Sequence, residues 1–329
     1  MEGATSSSPS LVWTAEHNAY TLSASAIEHE SLSELQEALA LAREFFPKLD
    51  MDYQGFREEV FRDILSRGPL DMVLHMLDKQ GVPVSAVDPL SIHQWVTRPL
   101  VEALLARGWD INTQDSRAFR EQRLIDYLVK ARNDKEELAR WLVSEKGAHV
   151  NGPQLNLAHG PGFLSSPILE ICAAFGTVPM FKFLEEHGAI LSPRALHVSV
   201  DSAASEGVDP DSKSDSLDQT NKATSTKWRS EMLRYLVHER HLDVNALDTS
   251  ARHENRGTPL NYAAHWQKGA PVVSWLLEMG ANPSICDPSG RDAEGFARES
   301  RCDKVLGVLE DWKKSRNQDP IRNSLTDST

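Results

Sequence analysis

The chain reads as an all-α protein of stacked helix-turn-helix units, and two observations predict this. An apolar helix face followed by a glycine stop recurs, ending at Gly81, Gly108, Gly147, Gly188 and Gly280, with His241 where glycine is usual at one further stop. One unit is also written in full: Thr258-Pro259-Leu260-Asn261-Tyr262-Ala263-Ala264, then Val272-Val273-Ser274-Trp275-Leu276-Leu277-Glu278-Met279-Gly280-Ala281-Asn282-Pro283. Sequence self-similarity of this kind marks a solenoid, in which each unit buries its apolar face against its neighbours.

The complete unit explains itself residue by residue. Thr258 caps a helix whose first position is Pro259, tolerated there because a first-turn N–H has no helical partner. Paired alanines keep that inner helix thin. Val272, Val273, Leu276 and Leu277 share one face of a thicker outer helix, and Gly280 supplies the left-handed cap beyond it. His241 occupies the corresponding place after Leu236 to Arg240, so that turn has to be rebuilt or strained.

The stops at 81, 108, 147, 188, 241 and 280 are separated by 27, 39, 41, 53 and 39 residues. The longest interval contains residues 199–227, rich in Ser, Asp, Lys and Thr, read as a disordered insert at about 201–227 between two helices of one repeat. The other long intervals imply extended fingers around Arg117, residues 155–165 and residues 250–257. Pro167 to Gly176 matches the inner helix well, with Glu170 taken at the histidine position; 123–130 and 88–95 match poorly. Nearer the amino end only helical periodicity remains, with Phe56, Val60, Phe61, Ile64 and Leu65 on one face. Ser31 or Ser33 caps an earlier helix ended by Pro47.

The complete unit resembles an ankyrin repeat, whose signature T-P-L-H-x-A recurs at about 33 residues; Asn261 replaces the histidine. Asp287 to Leu309 resembles a terminal, atypical repeat. The resemblance implies an all-α ankyrin solenoid of about six repeats behind a divergent N-terminal helical cap. The expected organisation is a flexible start over 1–25, cap and degenerate repeats over 26–97, the repeat domain over 98–312, and a polar tail over 313–329.

Composition excludes several classes. Thirty-five basic against 48 acidic residues give a net charge of −13, and no basic block tracks phosphates, so direct nucleic-acid binding is not expected. No apolar run approaches the roughly 18 residues of a membrane helix, and the first 20 residues lack a signal-peptide pattern. The chain is expected in the cytoplasm or nucleus, as a monomer, without a membrane or cofactor. Three cysteines, Cys172, Cys286 and Cys302, without paired spacing imply reduced thiols.

Catalytic patterns are sparse. Among the 12 histidines, His238 and His241 lie three apart without a third ligand, and His238-Glu239-Arg240-His241 is not the zinc-protease spacing. Asp50 and Asp52 diverge on a helix. His197, Ser199 and Asp201 supply triad residue types, but no nucleophile elbow presents the serine. No phosphate-cradling glycine loop occurs. The chain is therefore read as a non-enzyme.

The resemblance places partner binding on the concave side, along finger tips and exposed inner-helix positions. Carried onto this chain, those positions are Tyr262, His265 and Trp266 on the inner helix, and Asp115, Arg117, Asp248, Arg252, Asp287 and Arg291 on the fingers. The leading expectation is an intracellular adaptor that binds another protein. The alternative is an accessory or catalytic protein of a small-molecule, secondary-metabolite-type pathway, using a pocket in the divergent N-terminal half.

Overall fold

The computed structural model describes residues 9–47, 52–115, 122–130, 135–152, 167–211, 221–248 and 256–318. Among the described residues every regular element is helical, and the only β feature is an isolated antiparallel bridge between Gln114 and Arg123. The chain divides into two compact units, residues 1–118 with 122–124, and residues 119–121 with 125–329.

The first unit contains α1 (Pro9–Glu28), α2 (Leu32–Phe45), α3 (Tyr53–Arg67), α4 (Leu70–Asp78), α5 (Pro89–Ile92) and α6 (Arg98–Leu105). Pro9 already lies in a helix, and Ala19 and Ser23 are buried, so the flexible start expected over 1–25 does not extend through these residues. Ser31 caps α2 by accepting from the Glu34 N–H. The predicted apolar face of α3 is the buried one, with Phe56, Val60, Phe61, Ile64 and Leu65 all in the core. Phe46 and Tyr20 meet the Phe56 ring edge-on at 5.1 and 4.8 Å.

The second unit holds helix pairs: α7 (Leu124–Leu128), from Ile125 onward, with α8 (Glu136–Lys146), α9 (Ile168–Phe175) with α10 (Val178–Glu186), and α11 (Ala195–Glu206) with α12 (Asn221–Arg234). α13 (Pro259–Ala264) with α14 (Ala270–Glu278), and α15 (Ala293–Glu299) with α16 (Asp303–Gln318), complete it. The inner helices stack in chain order, α11 between α9 and α13, and α13 against α15. Paired alanines permit this closeness: Ala263 and Ala264 are wholly buried, as are Ala203 and Ala204 in α11.

Residues 201–206 are the last turns of α11, and 221–227 begin α12, so the disordered insert does not cover them. Likewise 313–318 belong to α16 rather than to a polar tail. Each predicted glycine stop is left-handed, with φ of 67° at Gly81, 83° at Gly108, 72° at Gly147, 87° at Gly188 and 92° at Gly280. A Cβ at these five positions meets nothing within 4 Å. Backbone conformation, not space, selects glycine there. His241 takes the same region at φ 53°, one residue beyond a π-helical turn, Tyr235–Glu239, that Arg240 caps.

Candidate functional site

The inner-helix side of the second unit is organised by Arg194, at the start of α11. Its Nε donates to Asp248 Oδ2 at 2.8 Å, Nη1 to Glu170 Oε2 at 3.3 Å, and Nη2 to the Tyr262 hydroxyl at 3.5 Å. Tyr262 in turn donates to Asp248 Oδ2 at 2.6 Å, and Ser192 donates to Glu170 Oε1 at 2.6 Å. Arg194, Glu170, Asp248 and Tyr262 are 8, 4, 6 and 1% exposed. The guanidinium thus ties together α9, α13 and the finger before α13, as its planar fork allows and a lysine would not.

Tyr262 was expected on the surface as a partner contact; it is core. Burial, then the hydrogen bond it donates to Asp248, pushes its pKa up to about 12. Burial opposes the charge on Arg194, yet its hydrogen bonds with Tyr262 and Asp248 outweigh this and raise its pKa. Counted from the proline, Glu170 follows Pro167 by the same step as Tyr262 follows Pro259. Glu170 is therefore the counterpart of Tyr262, and the histidine position belongs to Leu169.

His197 sits on α11 beside this cluster. Its Nε2 donates to the Ala246 carbonyl at 2.9 Å, and its ring meets Tyr262 edge-on at 5.5 Å. Burial lowers its pKa and keeps it neutral. Ser199 is buried on another face of α11, while Asp201 binds Arg256 and Trp266. His197, Ser199 and Asp201 thus do not converge as a triad. His238 lies edge-on to Trp275 at 6.2 Å, and among the described residues no three His, Cys, Asp or Glu groups gather as metal ligands.

The finger aspartates also turn inward. Asp115, Asp248 and Asp287 are 0, 6 and 5% exposed, and each donates its own N–H across the turn, to Gln122, Gly257 and Arg291 carbonyls at 2.8 Å in every case. Asp287 accepts from the Ser289 and Arg291 N–H groups at 2.9 and 2.7 Å and from the Arg291 guanidinium at 2.8 Å. Burial works against its charge, but these donors win and lower its pKa. Arg291 also lies 4.4 Å over the Phe296 ring and binds Glu299. The expected polar rim is consequently a set of turn-locking contacts. Arg117 and Arg252 lie outside the described residues.

Trp266 and His265 remain partly exposed at the end of α13. The Trp266 indole donates to Asp201 Oδ1 at 2.8 Å, and Arg256 donates to the same oxygen at 3.1 Å. His265 pairs with Ser300 at 2.9 Å; burial, then the nearby Arg256, lowers its pKa. Sequence reasoning missed Asn151 and Asn245, which couple successive repeats in the same way. Asn151 donates to Gly188 O at 2.8 Å and accepts from Ile190 N at 3.0 Å; Asn245 donates to Gly280 O at 3.1 Å and accepts from Asn282 N at 2.7 Å. The signal was present as Val150-Asn151 and Val244-Asn245, the same dipeptide just after the stops at 147 and 241.

Residues 255–288 match the family model for the ankyrin repeat. Those residues are an ankyrin repeat. The matched segment holds the Thr258 cap, the paired alanines and the Gly280 stop of the complete repeat. Among solved structures, the chain resembles EF0377, an ankyrin repeat protein, at 17% identity and a TM-score of 0.41, over 68% of this chain and 96% of that one. It also resembles the human ASB11 ankyrin repeat domain at 19% identity and a TM-score of 0.41, over 68% and 78% of the two chains. A comparison with curated proteins finds no match. Ankyrin repeats generally mediate protein–protein interaction, and among the described residues no helix is long and apolar enough to cross a membrane.

Proposed function

We propose that this protein is an intracellular adaptor, without catalysis of its own, that recognises another protein through the inner-helix side of its second unit, with Trp266 as anchor. The observation carrying this reading is that Trp266 is partly exposed while Asp201 holds its indole N–H at 2.8 Å. A tryptophan oriented before binding loses little freedom on contact, and tryptophan is among the commonest binding anchors. Around it, Arg194 and the inward-turned aspartates keep the platform rigid.

Affinity capture from native cells with the wild type and Trp266→Ala tests the assignment. Loss of a specific partner by about 30-fold or more is expected, equivalent to about 2 kcal/mol, with a much smaller loss of folding stability. Retention of every captured partner by Trp266→Ala removes Trp266 as the anchor. The alternative reading, a small-molecule role for the N-terminal half, is favoured by one specific observation, a cleft in the first unit.

A further inference from the structure

The first unit holds a cleft of about 380 Å³ between α2, the start of α3 and the end of α4, at the lower end of the roughly 300–1,000 Å³ typical of ligand sites. Leu39 and Ala40 form its apolar wall, and Arg43, Glu44, Tyr53, His75 and Gln80 also line it. The polar side is already oriented. Tyr53 donates to Gln80 Oε1 at 3.4 Å, and Gln80 Nε2 meets His75 Nε2 at 3.0 Å, so the amide donates to an unprotonated imidazole nitrogen. Burial, then Lys79, lowers the His75 pKa, in keeping with a neutral ring.

The charge around this cleft departs from that of the chain. Among the described residues Arg43, Arg57 and Lys79 have no carboxylate partner, although the whole chain carries −13. Arg57 stacks on the Tyr53 ring at 5.1 Å and donates to the Gln80 carbonyl, and its buried Nε has no partner. Arg43 lines the cleft beside one carboxylate, Glu44, while Arg57 lies against the lining residues Tyr53 and Gln80 and Lys79 lies near His75. An apolar wall beside an arginine without a carboxylate partner, with two further cations behind the polar side, favours an anion with an apolar body.

We propose that this cleft binds a small organic carboxylate, with Arg43 pairing the carboxylate, Tyr53 and Gln80 bounding it, and Leu39 and Ala40 covering the apolar part. The proposal is independent of protein recognition at Trp266. Titration of the full chain with 4-phenylbutyrate, followed by NMR shifts of Tyr53 and His75, tests it. Saturable binding is expected, weakened about tenfold in Arg43→Gln and about tenfold for the neutral 4-phenylbutyramide, the loss of one charge-assisted contact. Arg43 is exposed, so the variant keeps the fold, as an unchanged melt will verify; Ala40→Trp, also at an exposed position, independently abolishes binding by filling the cleft. An acetylated dipeptide ending in phenylalanine, as acid and as amide, separates a chain-terminal carboxylate from a free one; tighter binding of either acid supports the site and names its source. No saturation up to about 10 mM, equal binding of acid and amide, or an unchanged affinity in Arg43→Gln overturns the proposal.

Discussion

At the scale of the residue, Arg194 matters because two buried carboxylates depend on it. Arg194→Ala leaves Glu170 and Asp248, 4 and 6% exposed, with no cation between them. A loss of about 3–5 kcal/mol in urea unfolding is expected, since removing one partner strands the other charges in a poorly solvated interior. Tyr262→Phe deletes only the hydroxyl and costs about 1–3 kcal/mol; a cost near zero would show that Asp248 does not need that donor. His197 supplies a pH dependence. Its folded pKa lies below the ordinary 6.5 because of burial, so between those two values the unfolded chain binds more protons. The stability it contributes is complete above pH 6.5 and is lost as pH falls through that window, at up to about 1.4 kcal/mol per pH unit. Asp287, with its lowered pKa, loses its contribution only in stronger acid, below the ordinary 3.8. Between pH 7.5 and 5 the loss of stability should therefore be shallower in His197→Asn than in the wild type, with the lowered pKa values of His75 and His265 carrying the remainder.

At the scale of the element, helix ends were the most legible part of this chain. A glycine at φ of 67–92° closes α4, α6, α8, α10 and α14, and each stood in the sequence after an apolar face. His241 performs the same turn at φ 53°, where a Cβ costs about 1–2 kcal/mol. Because this residue is exposed, His241→Gly should stabilise by up to about 1 kcal/mol, the relieved strain offset in part by glycine's unfolded-state entropy; a lowered melting temperature would contradict this. Part of the uneven spacing also has a backbone cause. The closing bond spans five residues at Trp109 to Leu104, Ala189 to Leu184 and Ala281 to Leu276, but six at Val82 to Met76, Ala148 to Leu142 and Leu242 to Leu236. The longer closures add a residue to the turn, which after α12 becomes the π-helical Tyr235–Glu239. Helix α11 was illegible for the opposite reason. No aspartate-led finger precedes it, and its buried residues include His197, Ser199 and Ser202, polar types that read as loop until their partners on other elements are known. The burial of Tyr262 was hidden likewise, since it rests on Arg194, distant in sequence. Asn245→Ala removes both bonds from its finger to the next and should cost about 1–2 kcal/mol.

At the scale of the whole molecule, stacked repeats make stability a sum of unit terms and nearest-neighbour interface terms. The position of a contact in the stack then decides how far its loss spreads. Leu309 is 1% exposed in α16, and α16 packs only on α14 and α15 among the principal contacts. Leu309→Ala should cost about 2–5 kcal/mol, and it should do so locally. Amide hydrogen exchange is expected to rise over 293–318 while α11 keeps its protection, because among these contacts α16 does not pack on α11 and can open without it. Arg194 reaches α9, α13 and the finger at Asp248 at once. Its replacement by alanine should therefore raise exchange together over 168–175, 195–206 and 259–264, although the energetic cost is similar. Equal spreading in both variants would mean that the second unit opens as one block; local opening in both would mean that the Arg194 contacts do not couple the repeats they join.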